Sequence, residues 1–548
     1  MEQSIARVKP SSRKAELPPD RSDLTIGLFA PPLVEPFQPS ISLPYLAAQL
    51  RADGFSSVCH NLSSLFYIWL FRRVRFESML QYQSLSDSIA VLRDEIFFYN
   101  PADYHAALVT LEEFVVEAGR RDGLPYTLYP ESSPSAIVAS SDYRALVQAM
   151  EGTLLDRFLH DYLGFTLRLE AYHIIAFSAT NAFQLAASLF IARALKNAGV
   201  HAHLILGGHA VSLAGASLTT DDALGACVDS LVLQGGADVF ATICHDVVAG
   251  SPRRVYTNDN VQIAVDGKGF STSTPYKIVL QRDIEDLYLS PRQVFSIYSA
   301  LGCSYGACTF CGSNRSNADY VPRQIEVMLD EMQSLKHRYG NDCFNICDNN
   351  FDPERARYFC DALEQRRENL YWQCTSRVYD TLDAPLLSRM RQNGCVLMNV
   401  GLESANDRIL RLMRKGYTVD HAEALMFNMK EAGMALHTYV ICRFPTETTA
   451  ESENTLDFLK RHIHHCHSVY FQDYEAQLAT KVFADALGSE SEGYPASRMI
   501  AALLADESIQ RDYAASGNLL RRKGYPFIED HNFLYLVQQS LANGTITS

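Results

Sequence analysis

Two hydrophobic periods alternate along most of this chain, one suited to strands and one to helices. Residues 24–30, LTIGLFA, form a short apolar run bounded by a Pro-rich loop, PPLVEPFQPS, and ISLPYLAAQLRADG then repeats apolar residues at helical spacing up to Gly54. Together these predict one βα unit. From about residue 62 to 168 only helical spacing is found, rich in aromatic residues (FYIWLFRRVRFESMLQY, DYHAALVTLEEFVVEAG, YRALVQAMEGTLLDRFLHDYL), which predicts a helical insertion. Alternation resumes with HIIAFSAT, QLAASLFIARALKNAG, AHLILGG, DSLVLQGG and DVFATICHDVVAG. That order predicts a parallel sheet covered by helices, with ligand loops SATNAF, GGHAVS and QGGAD at the carboxyl ends of its strands. The unit should span residues 24–255, behind a polar, disordered tail at 1–23.

A looser β-type linker is expected at 256–290, and a second alternating region at 291–480. Its strands read FSIYSALG, CFNICDN, YWQCTS, VLMNVGLES, LHTYVICRF and SVYFQDYEA, separated by helices such as PERARYFCDALEQRRE and DHAEALMFNMKEAG. Six βα units imply a partial or complete parallel α/β barrel with its chemistry at the strands' C-terminal ends. Residues 481–548 read only as a C-terminal extension. The fold class is α/β.

Composition narrows the partners. With 47% hydrophobic and 20% charged residues, the 548-residue chain is that of a folded protein of several domains. Its 48 Lys+Arg against 63 Asp+Glu give a net charge of -15, without the basic footprint of a nucleic-acid binder. The most apolar run, SLFYIWLF, is closed by Arg72 and Arg73 and is too short to cross a bilayer, and the N-terminus lacks a signal-type apolar core. A cytoplasmic protein without membrane or nucleic-acid partners is expected. Its 13 cysteines then belong to a reducing compartment, and Cys59, Cys227, Cys244, Cys360 and Cys466 read as small apolar residues.

Three cysteines stand apart. In GCSYGACTFCG, Cys303, Cys308 and Cys311 follow a strand as CX4CX2C. A structural zinc site closes with four protein ligands, whereas three thiolates on a [4Fe–4S] cluster leave one iron open. An open-site cluster, a zinc site and three incidental thiols all remain readings of the spacing.

The motif resembles that of radical S-adenosylmethionine (SAM) enzymes, in which CX3CX2C is usual and an aromatic residue, here Phe310, precedes the third cysteine. This chain has one residue more between the first two. The resemblance implies a radical SAM partial (β/α)6 barrel whose open iron chelates SAM and whose electron cleaves it to a 5′-deoxyadenosyl radical. It also implies SAM contacts from Phe310, from Asp348 and Asn349 in CDNNF, from Glu403 and Ser404 in GLESAND with RKGYT downstream, and from Arg443 in CRFPTET, where Arg443 and Thr446 replace the glycines of GFPGET. For Asp348 and Glu403 the alternative is helix N-capping.

The first half resembles the cobalamin-binding domain joined to many radical SAM enzymes, a flavodoxin-like (Rossmann-like) sheet. By position, Ser178, Thr180, Gln184, Gly207, Gly208, Gly235 and Gly236 would surround a cobalamin. The D-x-H-x-x-G segment that supplies a cobalt ligand in some such proteins is absent, and His209 follows the wrong strand to replace it. A cover for the barrel mouth is the alternative. Together the two resemblances imply a cobalamin-dependent C-methyltransferase of natural-product or peptide maturation, with a peptide or small-molecule substrate and a flavodoxin- or ferredoxin-like electron donor. A radical rearrangement or cyclisation with the same cofactors, or a non-catalytic Fe–S/B12 sensor, are the alternatives.

Overall fold

The computed structural model describes residues 24–74, 82–129, 143–165, 172–220, 226–233, 237–257, 288–311, 320–474, 491–516, 519–522 and 529–543. The first half runs β1 (Thr25–Ala30), α1 (Ser42–Ala52), β2 (Ser56–Asn61), α2 (Leu62–Arg73), α3 (Tyr82–Arg93), α4 (Pro101–Asp122), α5 (Tyr143–Ala149), α6 (Leu154–Phe165), β3 (Ile174–Ser178), α7 (Ala182–Asn197), β4 (His203–Gly207), α8 (His209–Thr220), β5 (Ser230–Val232), α9 (Ala237–Val248) and β6 (Val255–Tyr256). Its strands pair in parallel in the order β2-β1-β3-β4-β5-β6. The first five strands thus follow the flavodoxin order 2-1-3-4-5, whose switch point lies between β1 and β3.

Strand residues alternate between two cores. Ile26, Leu28 and Ala30 pack with α1 and α9, while Phe29, Ile175 and Phe177 face the insertion helices. Strand β2 was not expected. SSVCHN is polar and lies on the sheet's edge, so only its last two residues are fully buried. Strand β6 likewise opens the stretch read as a linker and pairs with β5.

The second half runs β7 (Phe295–Ile297), β8 (Ala300–Leu301), β9 (Val321–Pro322), α10 (Ile325–Tyr339), β10 (Cys343–Ile346), α11 (Pro353–Arg366), β11 (Tyr371–Arg377), α12 (Ala384–Gln392), β12 (Cys395–Glu403), α13 (Asp407–Leu412), α14 (Val419–Glu431), β13 (Ala435–Cys442), α15 (Thr449–His462), β14 (Ser468–Asp473), α16 (Ala496–Leu504), α17 (Glu507–Asp512), β15 (Tyr513–Ser516), β16 (Leu519–Arg522) and α18 (Glu529–Ala542). Six parallel strands, β7 and β10 to β14, form the expected partial barrel. The hairpin β15–β16 adds antiparallel strands beyond β14, which gives part of the C-terminal extension a place. The expected first strand is divided, because FSIYSALG breaks at Tyr298–Ser299 into β7 and β8, and β8 pairs with β9 as the stem of the cysteine loop.

Polar bonds seat one sheet on the other. The β1–α1 loop reaches β7: Val294 N donates to Gln38 Oε1 at 2.6 Å and Leu289 N to Pro36 O at 2.9 Å. From α1, the Tyr45 hydroxyl donates to Glu331 Oε2 at 3.1 Å, beside the buried Arg323–Glu331 ion pair. Helix α18 joins the insertion to the barrel, since the Tyr104 hydroxyl meets His531 Nδ1 at 3.0 Å and Asn532 Oδ1 meets His467 Nε2 at 2.6 Å. Phe533, Leu534 and Val537 of α18 share a core with insertion residues such as Leu111 and Phe114.

Candidate active site at the barrel edge

The cysteine loop leaves the short strand β8 at the C-terminal edge of the parallel strands. Gly302 and Gly306 take φ of 74° and 60°, a left-handed backbone that glycine adopts without strain, and Gly306 N donates to Cys303 Sγ at 3.4 Å. Two bonds dock the loop on the end of α13: Thr309 N to Met413 O at 3.1 Å and Thr309 Oγ1 to Leu412 O at 2.9 Å. Phe310, before the third cysteine, packs in a small cluster with Ile409, Met413 and Phe444, its ring 6.5 Å from that of Phe444. The loop is thereby joined to the ends of the fourth and fifth barrel strands.

The three thiols are half-buried neighbours. Burial first, then the nearby Cys311, Glu403 and Cys303, push the Cys308 thiol up to about 11, against the opposing pull of Lys415. Three thiolates on one loop suit an iron–sulfur cube, which leaves one iron open, better than zinc, which needs four protein donors around one centre.

Lys415 lies under this loop. Its Nζ stands 3.0 Å from Glu403 Oε1 and 5.9 Å from the Phe310 ring centroid, with the lysine and glutamate side chains only 7% and 10% exposed. Burial pulls the ammonium's pKa down, but Glu403, Tyr417 and Cys308 outweigh it and hold Lys415 charged. Glu403 has φ +61° at a register shift between β12 and β13. A Cβ on Gly401 would lie 2.4 Å from Glu403 Oε1, so the glycine of the GLES segment makes room for the ion pair.

The expected SAM-contacting residues divide into two groups. Asp348 is 3% exposed and its carboxylate accepts Ser299 N at 2.8 Å, Ala300 N at 3.0 Å and the Ser299 hydroxyl. It therefore secures the β7–β8 turn at the root of the cysteine loop, and burial raises its pKa to about 6 despite these donors. Ser404 is also buried, its hydroxyl 3.3 Å from Asn406 Nδ2. Asn349 and Arg443 are exposed. Helix capping falls to other residues than expected: Asp352 caps α11 through Arg355 N, and Asn406 is the N-cap of α13, so neither Asp348 nor Glu403 has that role. Arg443 and Thr446, which stand where the resemblance has glycines, take a left-handed backbone at φ 57° and 67°.

Three more residues were not singled out from sequence. Lys415 sits inside the RKGYT segment, Asn350 follows the two CDNNF residues that were named, and Arg377 ends β11. Asn350 Nδ2 donates to Ser304 Oγ at 2.8 Å and to the Tyr379 hydroxyl at 2.5 Å, and its Oδ1 accepts Arg377 N at 3.1 Å.

In the first sheet, Ser178, Thr180, Gly207 and Gly208 lie together at the carboxyl ends of β3 and β4, while Gly235 and Gly236 fall outside the described residues. Gln184 is 1% exposed and turned into the fold: its Oε1 accepts Thr180 N and Oγ1 at 2.9 and 2.7 Å, and its Nε2 donates to Pro31 O at 2.6 Å. A Cβ on Gly208 would lie 2.3 Å from Ala179 O, so the space this glycine vacates is taken by the chain itself. Ser178 is half-buried and Thr180 exposed on an edge without histidine in the β1–α1 loop. This polar edge of small residues lies beside the switch point, where sheets of this order take ligands.

Residues 297–459 match the family described as the radical SAM superfamily. Among curated proteins, bacteriochlorophyllide d C-12(1)-methyltransferase of Chlorobaculum tepidum is 27% identical over 251 residues, 44% of this chain and 52% of that protein. The cytidylyl-2-hydroxyethylphosphonate methyltransferase of Streptomyces wedmorensis is 28% identical over 167 residues, 29% of this chain and 31% of that protein. The chain thus spans about a third to a half of the curated relatives it matches. Among solved structures, the radical SAM methyltransferase TsrM from Kitasatospora setae, with cobalamin and a [4Fe–4S] cluster bound, aligns with TM-score 0.54 at 16% identity, over 84% of this chain and 74% of that one. The cobalamin-dependent radical enzyme OxsB, with aqua-cobalamin bound, aligns with TM-score 0.51 at 12% identity, over 95% of this chain and 67% of that one. At these identities the likeness is one of fold.

Proposed function

We propose, for a chain whose residues 297–459 are a radical SAM domain, a cobalamin-dependent methyltransferase acting on an unactivated carbon of a peptide or small natural product. One observation carries the reading: a cysteine loop at the carboxyl edge of six parallel strands, in the same chain as a sheet of flavodoxin order. TsrM and OxsB, solved with cobalamin, share that overall fold.

In this reading Cys303, Cys308 and Cys311 hold the cluster. Bound together, the cluster, SAM and cobalamin would supply a one-electron reductant, a source of a carbon radical and a methyl donor. The chain's own residues prepare the place. Lys415 sets a positive charge beside Cys308 and favours its thiolate. Phe310 and Phe444 close the loop's side against water. Asp348, expected to touch SAM, is reassigned to positioning the loop's root, because its oxygens already serve Ser299 and Ala300. Asn349 and Arg443 keep exposed side chains for the polar groups of SAM. Ser178, Thr180 and Gly208 rim the cobalamin edge. Gln184 braces it from within.

A substrate of the small-molecule or peptide class and an external one-electron donor belong to the same proposal. So does a cytoplasmic location; among the described residues, no helix is long and apolar enough to cross a membrane. A radical rearrangement with the same cofactors and no methyl transfer is the second reading, since a cysteine loop and a flavodoxin-order sheet in one chain would serve it equally.

The test is anaerobic reconstitution with an iron count, absorbance and cobalamin retention, then product analysis with SAM and reductant. S-adenosylhomocysteine together with 5′-deoxyadenosine is expected. Deoxyadenosine alone would move the protein to the second reading, and a Cys308→Ala protein with a full cluster and intact SAM cleavage would defeat the first.

A further inference from the structure

The arm between Cys303 and Cys308 is one residue longer than the CX3C spacing and is nearly bare: Ser304, Gly306 and Ala307 are exposed and only Tyr305 is half-buried. Tyr305 is gripped on several sides. Its hydroxyl donates to Arg414 O at 2.6 Å, and the guanidinium carbon of Arg377 lies 3.8 Å from its ring centroid. The same guanidinium lies 4.6 Å from the Tyr379 ring and donates through Nη2 to Lys415 O. A Cβ on Gly416 would stand 2.5 Å from the Tyr305 hydroxyl and 3.1 Å from Arg377 Nη2, so no other residue fits behind the pair. Among the described residues Arg377 Nε is buried without a hydrogen-bond partner, a cost offset by the guanidinium plane lying against the rings.

We propose that Arg377 and Tyr305 form a clasp that fixes the long first arm of the cysteine loop, making Arg377 a positioning residue for the ligand set. This rests on the reading of Cys303, Cys308 and Cys311 as cluster ligands. Arg377 comes from the third barrel strand and Tyr305 from the loop after the first, so their stacking ties the added residue to the rigid sheet. A planar, delocalised cation is required, because a lysine ammonium reproduces the charge but not the flat contact with two rings.

The full-length chain is reconstituted anaerobically as parent, R377K, R377M, Y305A, the Y305A/R377M double variant and C308A. Each is followed by iron content, the electron paramagnetic resonance line shape of the reduced cluster and the rate of bleaching by a chelator, with thermal unfolding as the fold control. Loss of the clasp is expected to speed bleaching roughly three- to tenfold and broaden the resonance. R377K should behave as R377M, and the double variant no worse than either single change, as expected of two residues in one interaction. Y305A carries the same test independently should R377M not fold. Parent-like spectra and bleaching in both R377M and Y305A, full rescue by R377K, or additive losses would each overturn the clasp. A C308A protein that keeps its cluster would instead defeat the ligand reading beneath it.

Discussion

Lys415 and Glu403 form a buried ion pair, Nζ to Oε1 at 3.0 Å, directly under the cysteine loop. Removing one partner leaves the other charge without compensation. Glu403→Gln is expected to destabilise the protein by about 3–5 kcal/mol, read by chemical denaturation. Replacing both residues with Met should recover most of that stability, since the desolvation cost disappears with the charges. SAM cleavage should not recover with it, which separates the pair's role at the site from its contribution to the fold.

Acid should loosen the packing of the C-terminal helix against the barrel. Burial holds His467 and His531 at about 3, well below the ordinary imidazole value of 6.5. A depressed basic group contributes stability above its unfolded pKa and loses it as the pH falls toward the folded one, so the window runs from about 6.5 down to about 3. Each histidine adds a slope of about 1.4 kcal/mol per pH unit there. His531→Gln should flatten the curve by one such increment, and hydrogen exchange at Leu534 and Val537 should rise as the pH falls through that window.

Thr446 is β-branched at φ +67°, where such residues are strained. Thr446→Gly is expected to stabilise the protein by about 0.5–1 kcal/mol, after the entropic cost of glycine offsets part of the relief. The shift in thermal midpoint measures it.

Gly208→Ala should cost about 2–4 kcal/mol, because the new Cβ meets the Ala179 backbone at φ +108°. Cobalamin retention should fall with it if the β3 and β4 ends form the cofactor edge. Gly123→Ala, at φ +68° but with nothing within 4 Å, is the control and should cost only backbone strain.

All six parallel barrel strands were legible as short apolar runs separated by helical periods, because a doubly covered strand must be apolar along its length. Strand β2 was not, since SSVCHN lies on an edge and buries only two of its six residues. The break in FSIYSALG was hidden for another reason: the turn at Ser299 is held by Asp348 and Arg355, 49 and 56 residues away. The candidate site divides the same way. Cys303, Cys308 and Cys311 are neighbours in sequence and could be read directly, whereas Lys415 and Arg377 gain meaning only from residues brought to them by the barrel.

By itself the sequence determined the periodicity of the two sheets and the position of the thiol loop at a strand end, because these depend on local spacing. The tertiary structure decided which polar groups remain open. It buries Asp348, Ser404 and Gln184 in internal bonds, leaves Asn349 and Arg443 exposed, and sets the Lys415 charge beside Cys308. A side chain's chemistry is written in its residue type, but its availability depends on what long-range packing places against it.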